Sequence, residues 1–329
     1  MNKNFRQRIF GISDKAEFDE AALDLFKYQV NDNHIYKNYV SALGILPDSI
    51  GSPEKIPFLP VSFFKDHKVL TGKKPAEAVF ESSSTTGIIT SKHYVSDLTL
   101  YQESFLKGFR YFYGEPEDYL FASLLPSYNE RENSSLIFMM KGLNEKSKHS
   151  ESGNYNNDKE RLIGTLKKAS ANGIKTILLG VSFALLDLAE IYHPDLSGTI
   201  IIETGGMKGR RREITRQELH ARLKVGFNVK AIHSEYGMTE LLSQAWSKGD
   251  GIYYSPPWMK IYIRDSQDPL TIYTNFRITG GINIIDLANI NSCSFLSVND
   301  LGKLHEDGGF EVLGRFDSSD IRGCNLMVE

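Results

Sequence analysis

From residue 118 onward, short apolar runs alternate with stretches of helical periodicity, and this alternation limits the fold more than any other feature of the chain. "DYLFASLLP" reads as a strand and "DKERLIGTLKKASANG" as a helix with Asp158 at its N-cap. "IKTILLG" is a buried strand, "SFALLDLAEIY" a helix and "GTIIIETGG" a second buried strand. "REITRQELHARLKVG" is a helix closed by Gly226, and "VKAIHSEYG" is a further strand. Strands apolar along their length and joined through helices build a parallel sheet covered on both faces. The polar stretch "SKHSESGNYNND" (147–158) reads as a mobile connection.

The flanks differ from this middle. The first third is mainly helical: Ser13 and Asp14 offer caps to "KAEFDEAALDLFKYQV", where Phe18, Ala22, Leu25 and Tyr28 recur at helical spacing. "GSPEKIPFLP" (51–60) is a loop, and a helix from Ser96 to about Tyr113 carries an apolar stripe of Leu98, Tyr101, Phe105, Phe109 and Phe112. After residue 250 come short β segments, "MKIYIRD", "LTIYTNF", "GINIIDLAN" and "GGFEVLGRF", expected to form a smaller mixed or antiparallel portion. The reading is one α/β domain over 1–329, with a helical region at 1–80, an α/β region at 81–250 and a β-rich region at 251–329.

Charge and cysteine usage narrow the function. A net charge of -3 lacks the basic face of a nucleic-acid-binding protein. "KGRRR" (208–212), the one dense basic cluster, is either a solvated helix start or a contact for an acidic partner. No run reaches the roughly 18–20 apolar residues of a membrane span, and "MNKNFRQRIFGISDK" lacks the apolar core of a secretory signal. Cys293 and Cys324 are the only cysteines, which fits a reducing cytoplasm. The eight histidines show no metal-ligand spacing; His233 either lines a pocket or is a satisfied strand-end histidine.

"ESSSTTGIITSKHY" (81–94) gathers hydroxyls, a glycine and a lysine, donors suited to phosphate oxygens, without the spacing of a Walker A loop. Two later stretches, "TIIIETGGMKG" and "AIHSEYGMTELLS", end predicted strands in glycines and polar residues. The carboxyl edge of a parallel sheet is where such folds take ligands.

"SSSTTG", "ETGG", "EYGMTE" and "NDLGKLHEDGGFEVLGRFDSSDIRG" follow in the order and approximate spacing of the adenylate-forming superfamily of acyl- and aryl-CoA synthetases, luciferase and peptide-synthetase adenylation domains. The resemblance covers most of residues 80–329. "FKYQVNDNHIYKNYV", "IPFLPVSFFKDHKV", "LLPSYNERENSSLIFM", "IIDLAN", "DLGKL" and "DIRGCNL" resemble more narrowly the acyl-protein synthetase of the bacterial luminescence fatty-acid reductase complex.

The resemblance implies the adenylate-forming N-terminal fold, parallel sheet layers flanked by helices plus a smaller β portion, with the usual mobile C-terminal domain missing after a hinge at Asp317–Ser318. It implies ATP and Mg²⁺ and attack of a carboxylate, fatty acyl in the narrower branch, on the α-phosphorus. Ser82, Ser83, Ser84, Thr85, Thr86 and Gly87 match the phosphate loop with Lys92, though Ser84 replaces a usual glycine and Lys92 comes two residues late. Lys92 is otherwise a surface lysine. Gly205, Gly206 and Met207 match the adenine segment, Tyr236 stacks on the base, and Gly237 makes room for it. Thr239 reaches the α-phosphate and Glu240 holds Mg²⁺; Asp300 binds the ribose, with Asp286 as its rival, and Arg315 meets ribose or phosphate. Cys324 is the acyl-accepting nucleophile of the narrower branch, or else a small buried residue, as Cys293 is expected to be.

The implied partners are a small-molecule carboxylic acid and an acyl-accepting protein, a reductase or carrier. Two other readings stay open: a CoA or carrier-protein ligase completed by a separate C-terminal domain chain, and a noncatalytic nucleotide-binding scaffold.

Overall fold

The computed structural model describes residues 3–82, 90–126, 133–207, 210–212 and 214–316, with backbone alone at 3 and 4. The chain divides into two compact units. One comprises residues up to 63, 69–72 and those from 257 onward; the other comprises 64–68 and 73–256. The helical opening and the late β segments therefore share a unit.

In the unit of residues 73–256 the predicted alternation becomes a six-stranded sheet. Its order is Gly153–Asn154, Tyr119–Leu124, Lys175–Val181, Thr199–Thr204, His233–Tyr236 and Ala245–Ser247, parallel except for the last strand. Every residue of Tyr119–Leu124 is buried, as a strand covered on both faces must be. The connecting helices are Lys159–Ala171, Ser182–Tyr192 and Arg216–Phe227. Asp158 caps the first, accepting from the Arg161 amide at 2.9 Å.

Two sequence expectations are corrected by this unit. Gly226 does not close its helix: it lies inside, where a Cβ would meet Ala189 Cβ at 2.7 Å, and the chain turns at Asn228 with φ 54°. The polar stretch 147–158 is tied down rather than loose. Ser147 Oγ donates to the Tyr119 carbonyl at 2.6 Å, Ser152 Oγ accepts from the Phe121 amide at 3.0 Å, and Asn154 Oδ1 accepts from the Leu125 amide at 3.0 Å. Its polar side chains satisfy backbone groups at the sheet edge, so their polarity reflects a binding duty rather than exposure.

Strands Ala78–Glu81 and Lys92–Val95 form an antiparallel hairpin, followed by helix Leu98–Tyr113 with Asp97 at its N-cap. Tyr101, Phe105 and Phe109 are buried as the stripe requires, and Leu100 joins them; Leu98 and Phe112 are half-buried. Tyr101 stacks on Phe138 of the next helix, Ser135–Lys146, at 5.5 Å between ring centres. Each such ring contributes roughly 1.5–3 kcal/mol by leaving water.

In the other unit, antiparallel strands run in the order Phe310–Arg315, Phe295–Leu304, Gly280–Asp286 and Met259–Arg264, with Leu59–Pro60 parallel to Phe295–Leu304. "LTIYTNF" forms no strand beyond one bridge between Ile272 and Arg264. Asp265 turns the chain there, its Oδ1 accepting from the amides of Gln267 at 2.6 Å and Asp268 at 3.1 Å. Helix Lys15–Asp32 buries Phe18, Ala21, Ala22, Leu25, Phe26 and Val30, and Asp14 caps it as expected. Its polar Gln29 is buried too: Nε2 donates to the carbonyls of Asn289 at 2.9 Å and Ile290 at 3.0 Å, while Oε1 accepts from the Ser294 amide at 2.9 Å.

Candidate functional site

Strands Thr199–Thr204 and His233–Tyr236 lie side by side and parallel, with Ile202 opposite His233 and Glu203 opposite Ser234. Both end at the same edge, and the chain leaves them through Gly205–Met207 and Gly237–Glu240. Gly205 has φ +69°, the left-handed region that glycine enters without strain. A Cβ added to Gly206 would meet nothing within 4 Å, so this backbone is open to an approaching group. Met207 is buried.

A buried charge network fixes this turn. Ser182 Oγ lies 3.0 Å from Glu203 Oε2 and 3.2 Å from the Gly205 carbonyl, so its single proton is shared between the two acceptors. His220 Nε2 lies 3.5 Å from Glu203 Oε1 and Arg216 Nε 3.8 Å from the same oxygen. Burial raises the Glu203 carboxyl, but the His220 bond, the Arg216 charge and Ser234 together leave it below the usual carboxylate value. Glu203 is thus a buried anion facing the charge of Arg216; it opens "ETGG", where the sequence reading gave a role to the glycines and none to the carboxylate.

Tyr236 is buried with its ring centre 5.8 Å from that of Tyr253, over which Arg216 sits at 5.2 Å. The space beside Gly237 is occupied by a carboxylate oxygen of Glu235, with which a Cβ would collide. Half-buried Glu235 turns its carboxyl group inward, where Oε2 accepts from Thr204 Oγ1 at 2.5 Å. Burial raises this carboxyl to about 7; the Thr204 bond offsets part of that and the charge of Glu203 adds to it. His233, at the start of the same strand, shares a hydrogen bond with Tyr113 at 3.1 Å; burial and then the charge of Lys248 push its imidazole down to about 4. That makes it a satisfied neutral histidine.

Glu240 is buried, and Thr239 before it is half-buried. The Thr239 carbonyl accepts from Nδ1 of His93 at 2.8 Å. Where the hairpin strands run into their connection, Ser82 and Ser91 bond twice: the Ser82 amide donates to the Ser91 carbonyl at 3.0 Å, and the Ser91 amide to Ser82 Oγ at 3.0 Å. Lys92 lies on the returning strand opposite Glu81, its Nζ 3.9 Å from Glu81 Oε1 and its side chain exposed. Ser83, Ser84, Thr85, Thr86, Gly87 and Cys324 lie outside the described residues, as do Lys208, Asp317 and Ser318. Of the basic cluster, Arg211 pairs with Asp187 at 2.5 Å and Glu190 at 2.7 Å, spending its charge within the fold.

The remaining candidates belong to the other unit. Asp300 and Arg315 are register partners on adjacent strands, with Arg315 Nε 3.3 Å from Asp300 Oδ1. Asp286 is fully buried and caps its own turn, accepting from the Ala288 amide at 3.1 Å, so it acts as the turn former of the two alternatives. Cys293 is buried among core residues, and burial pushes its thiol up to about 12. Among the described residues no group of three His, Cys, Asp or Glu could hold a metal. Glu240 offers hard carboxylate oxygens, which suit Mg²⁺ bound mainly through phosphate oxygens and water.

No protein-family model matches the chain, and no curated protein matches it. Solved structures do. A 2-hydroxyisobutyryl-CoA ligase in complex with 2-HIB-AMP and CoA superposes with a TM-score of 0.69 at 13% identity, over 97% of this chain and 72% of the ligase. The chain has the fold of the adenylate-forming ligases. The McyG A-PCP complexed with phenylalanyl-adenylate gives 0.51 at 14% identity, over 85% of this chain and 47% of that one. An amide bond synthetase from Marinactinospora thermotolerans gives 0.50 at 15% identity, over 74% and 50%. The chain therefore spans about half the length of the last two. Among the described residues no helix is long and apolar enough to cross a membrane.

Proposed function

We propose that this chain activates a carboxylic acid with ATP. The carboxylate oxygen attacks the α-phosphorus, the bond to the bridging oxygen of the β-phosphate breaks, and pyrophosphate leaves an acyl-adenylate behind. The observation that carries this reading is the shared edge at which Gly205–Gly206 and Thr239–Glu240 leave adjacent parallel strands, in a fold whose neighbours are adenylate-forming ligases. The open backbone at Gly206 receives the adenine. Thr239 donates to the α-phosphate and Glu240 carries Mg²⁺, so catalysis is positioning plus stabilisation of spreading negative charge. Asp300 accepts from the ribose hydroxyls and Arg315 meets ribose or phosphate. The hydroxyls of residues 82–86, with Lys92, take the outer phosphates.

The acid is fatty acyl and the acceptor a thiol in this reading, following the resemblance to the acyl-protein synthetases; Cys324 is that thiol and a reductase or carrier is the partner, in the cytoplasm. A second reading has a specific observation behind it. The 2-hydroxyisobutyryl-CoA ligase holds CoA in a thioesterification state, and the McyG structure couples an A to a PCP portion, which favours CoA or a carrier as acceptor.

The test is carboxylate-dependent ATP–pyrophosphate exchange over acids from acetate to long-chain fatty and aryl acids. Exchange with one class establishes adenylation and names the substrate. Nucleotide binding without exchange by any acid would overturn adenylation by this chain alone, in favour of an enzyme completed by a separate chain or of a scaffold. Single-turnover transfer from the adenylate to Cys324, CoA or a carrier then separates the acceptors.

A further inference from the structure

We propose that His93 is a positioning residue for Thr239 and Glu240, a role that rests on the nucleotide-site reading of those two. Residues 237–244 have no helix or strand of their own. Within the segment the Leu241 amide donates to the Met238 carbonyl at 3.1 Å. Two buried side chains on consecutive elements tie it to the rest of its unit. His93 donates to the Thr239 carbonyl at 2.8 Å, and Ser104 of helix Leu98–Tyr113 shares a hydrogen bond with Ser243 at 3.0 Å.

The chemistry of the first tie is unambiguous. A carbonyl oxygen only accepts, so Nδ1 carries the proton, and Nε2 is left as a lone pair with no partner among the described residues. Burial pushes the imidazole down to about 4, so the ring is neutral and its tautomer is held by this bond. The ring itself is fixed: Phe64 packs edge-on at 5.6 Å, and His93 sits opposite Phe80 in the hairpin. The peptide group between Thr239 and Glu240 is planar, so holding its oxygen holds the Cα of Glu240, the point from which its side chain departs. Small misplacement of a reacting constellation costs up to a hundredfold in rate.

Three variants separate this role from simple packing. His93→Phe keeps a ring against Phe64 and removes the donor. His93→Asn places an amide N–H near the Nδ1 position, whereas His93→Gln carries it out toward Nε2. Each is checked for folding by circular dichroism, then read by amide hydrogen exchange of the peptide 236–244 and by pyrophosphate exchange. For the Phe and Gln variants the expectation is about tenfold faster amide exchange in that peptide. Their turnover should fall about tenfold or more, with the KM for the acid unchanged. His93→Asn should stay within about threefold of wild type in both. Wild-type behaviour of His93→Phe, or an Asn variant as impaired as Gln, overturns the proposal. If the wild-type chain exchanges pyrophosphate with no acid, the functional reading falls, and the amide comparison still decides the role of His93.

Discussion

The hydroxyl of Thr204 donates to the Glu235 carboxylate at 2.5 Å, joining the ends of two neighbouring strands at the edge where the candidate site lies. That carboxyl is pushed up to about 7 from 4.5, chiefly by burial. A folded value above the unfolded one means that the native state holds the proton more tightly. Stability from this group is full below the unfolded value and is lost as pH rises through about 7. Glu235→Gln mimics the protonated form, so it should abolish this loss. Urea unfolding at pH 5 and pH 8 should show wild type losing roughly 1–3 kcal/mol more than the variant across that interval. Parallel curves for the two proteins would refute a raised Glu235.

Glu203 predicts the opposite slope. Its carboxyl stands below 4.5 because the His220 bond, Arg216 and Ser234 outweigh its burial. Its contribution is present above the unfolded value and lost as pH falls through the folded one. Glu203→Gln removes the carboxylate that faces Arg216 and lies within bonding distance of Ser182 and His220, and should cost about 1–3 kcal/mol at neutral pH. The gap between variant and wild type should narrow as the pH falls through the folded value, which lies below 4.5. Denaturant titrations at pH 7 and pH 3.5 check both statements, and a gap that widens on acidification would be wrong for this network.

The sheet was legible in the sequence because strands buried on both faces are apolar throughout: "IKTILLG" and "GTIIIETGG" could hardly pack otherwise. Strand Phe295–Leu304 was not, because it follows "NSCS", whose Ser294 amide serves Gln29 from 265 residues away. Of the site, the glycines and the Thr239–Glu240 pair stood out as a local motif. Glu203 and Glu235 open "ETGG" and "EYGMTE" yet drew no role there, and His93 and His220 stood out in neither. His93 and Thr239 are 146 residues apart, and nothing local marks a histidine that a distant carbonyl will orient.

Gly206 separates binding from folding. A Cβ there meets open space, so Gly206→Leu should leave the unfolding midpoint within about 0.5 kcal/mol of wild type. The same side chain would fill the approach assigned to the adenine, and ATP affinity should fall at least about tenfold, roughly 1.4 kcal/mol. Calorimetric titration with ATP reads this directly. Undiminished affinity would remove the glycine turn from the site.

Glu240→Gln keeps the size of the side chain while removing the charge a hard cation needs. Pyrophosphate exchange should fall on the order of a hundredfold, with the Mg²⁺ requirement shifted to higher concentration. A variant that keeps the wild-type Mg²⁺ curve would assign the metal to another group.

Asp300 and Arg315 form an ion pair at 3.3 Å, but the two partners differ: the arginine side chain is 80% exposed and the aspartate 11%. An exposed cation contributes little to folding through such a pair, at most about 1 kcal/mol. Arg315→Ala should therefore unfold close to wild type, and any larger consequence must come from a ligand. If Arg315 meets the phosphates of ATP, its loss should weaken ATP binding about tenfold and leave adenosine binding less affected, whereas a ribose contact would weaken both alike. Asp300→Asn bears on the ribose instead: a carboxylate accepts two hydroxyl donors, an amide oxygen fewer, so ATP and adenosine should weaken together. Comparing ATP, adenosine and 2′-deoxyadenosine across both variants resolves the two roles. Equal losses of all three ligands in Arg315→Ala would contradict a phosphate contact, and unchanged adenosine affinity in Asp300→Asn would move the ribose carboxylate elsewhere.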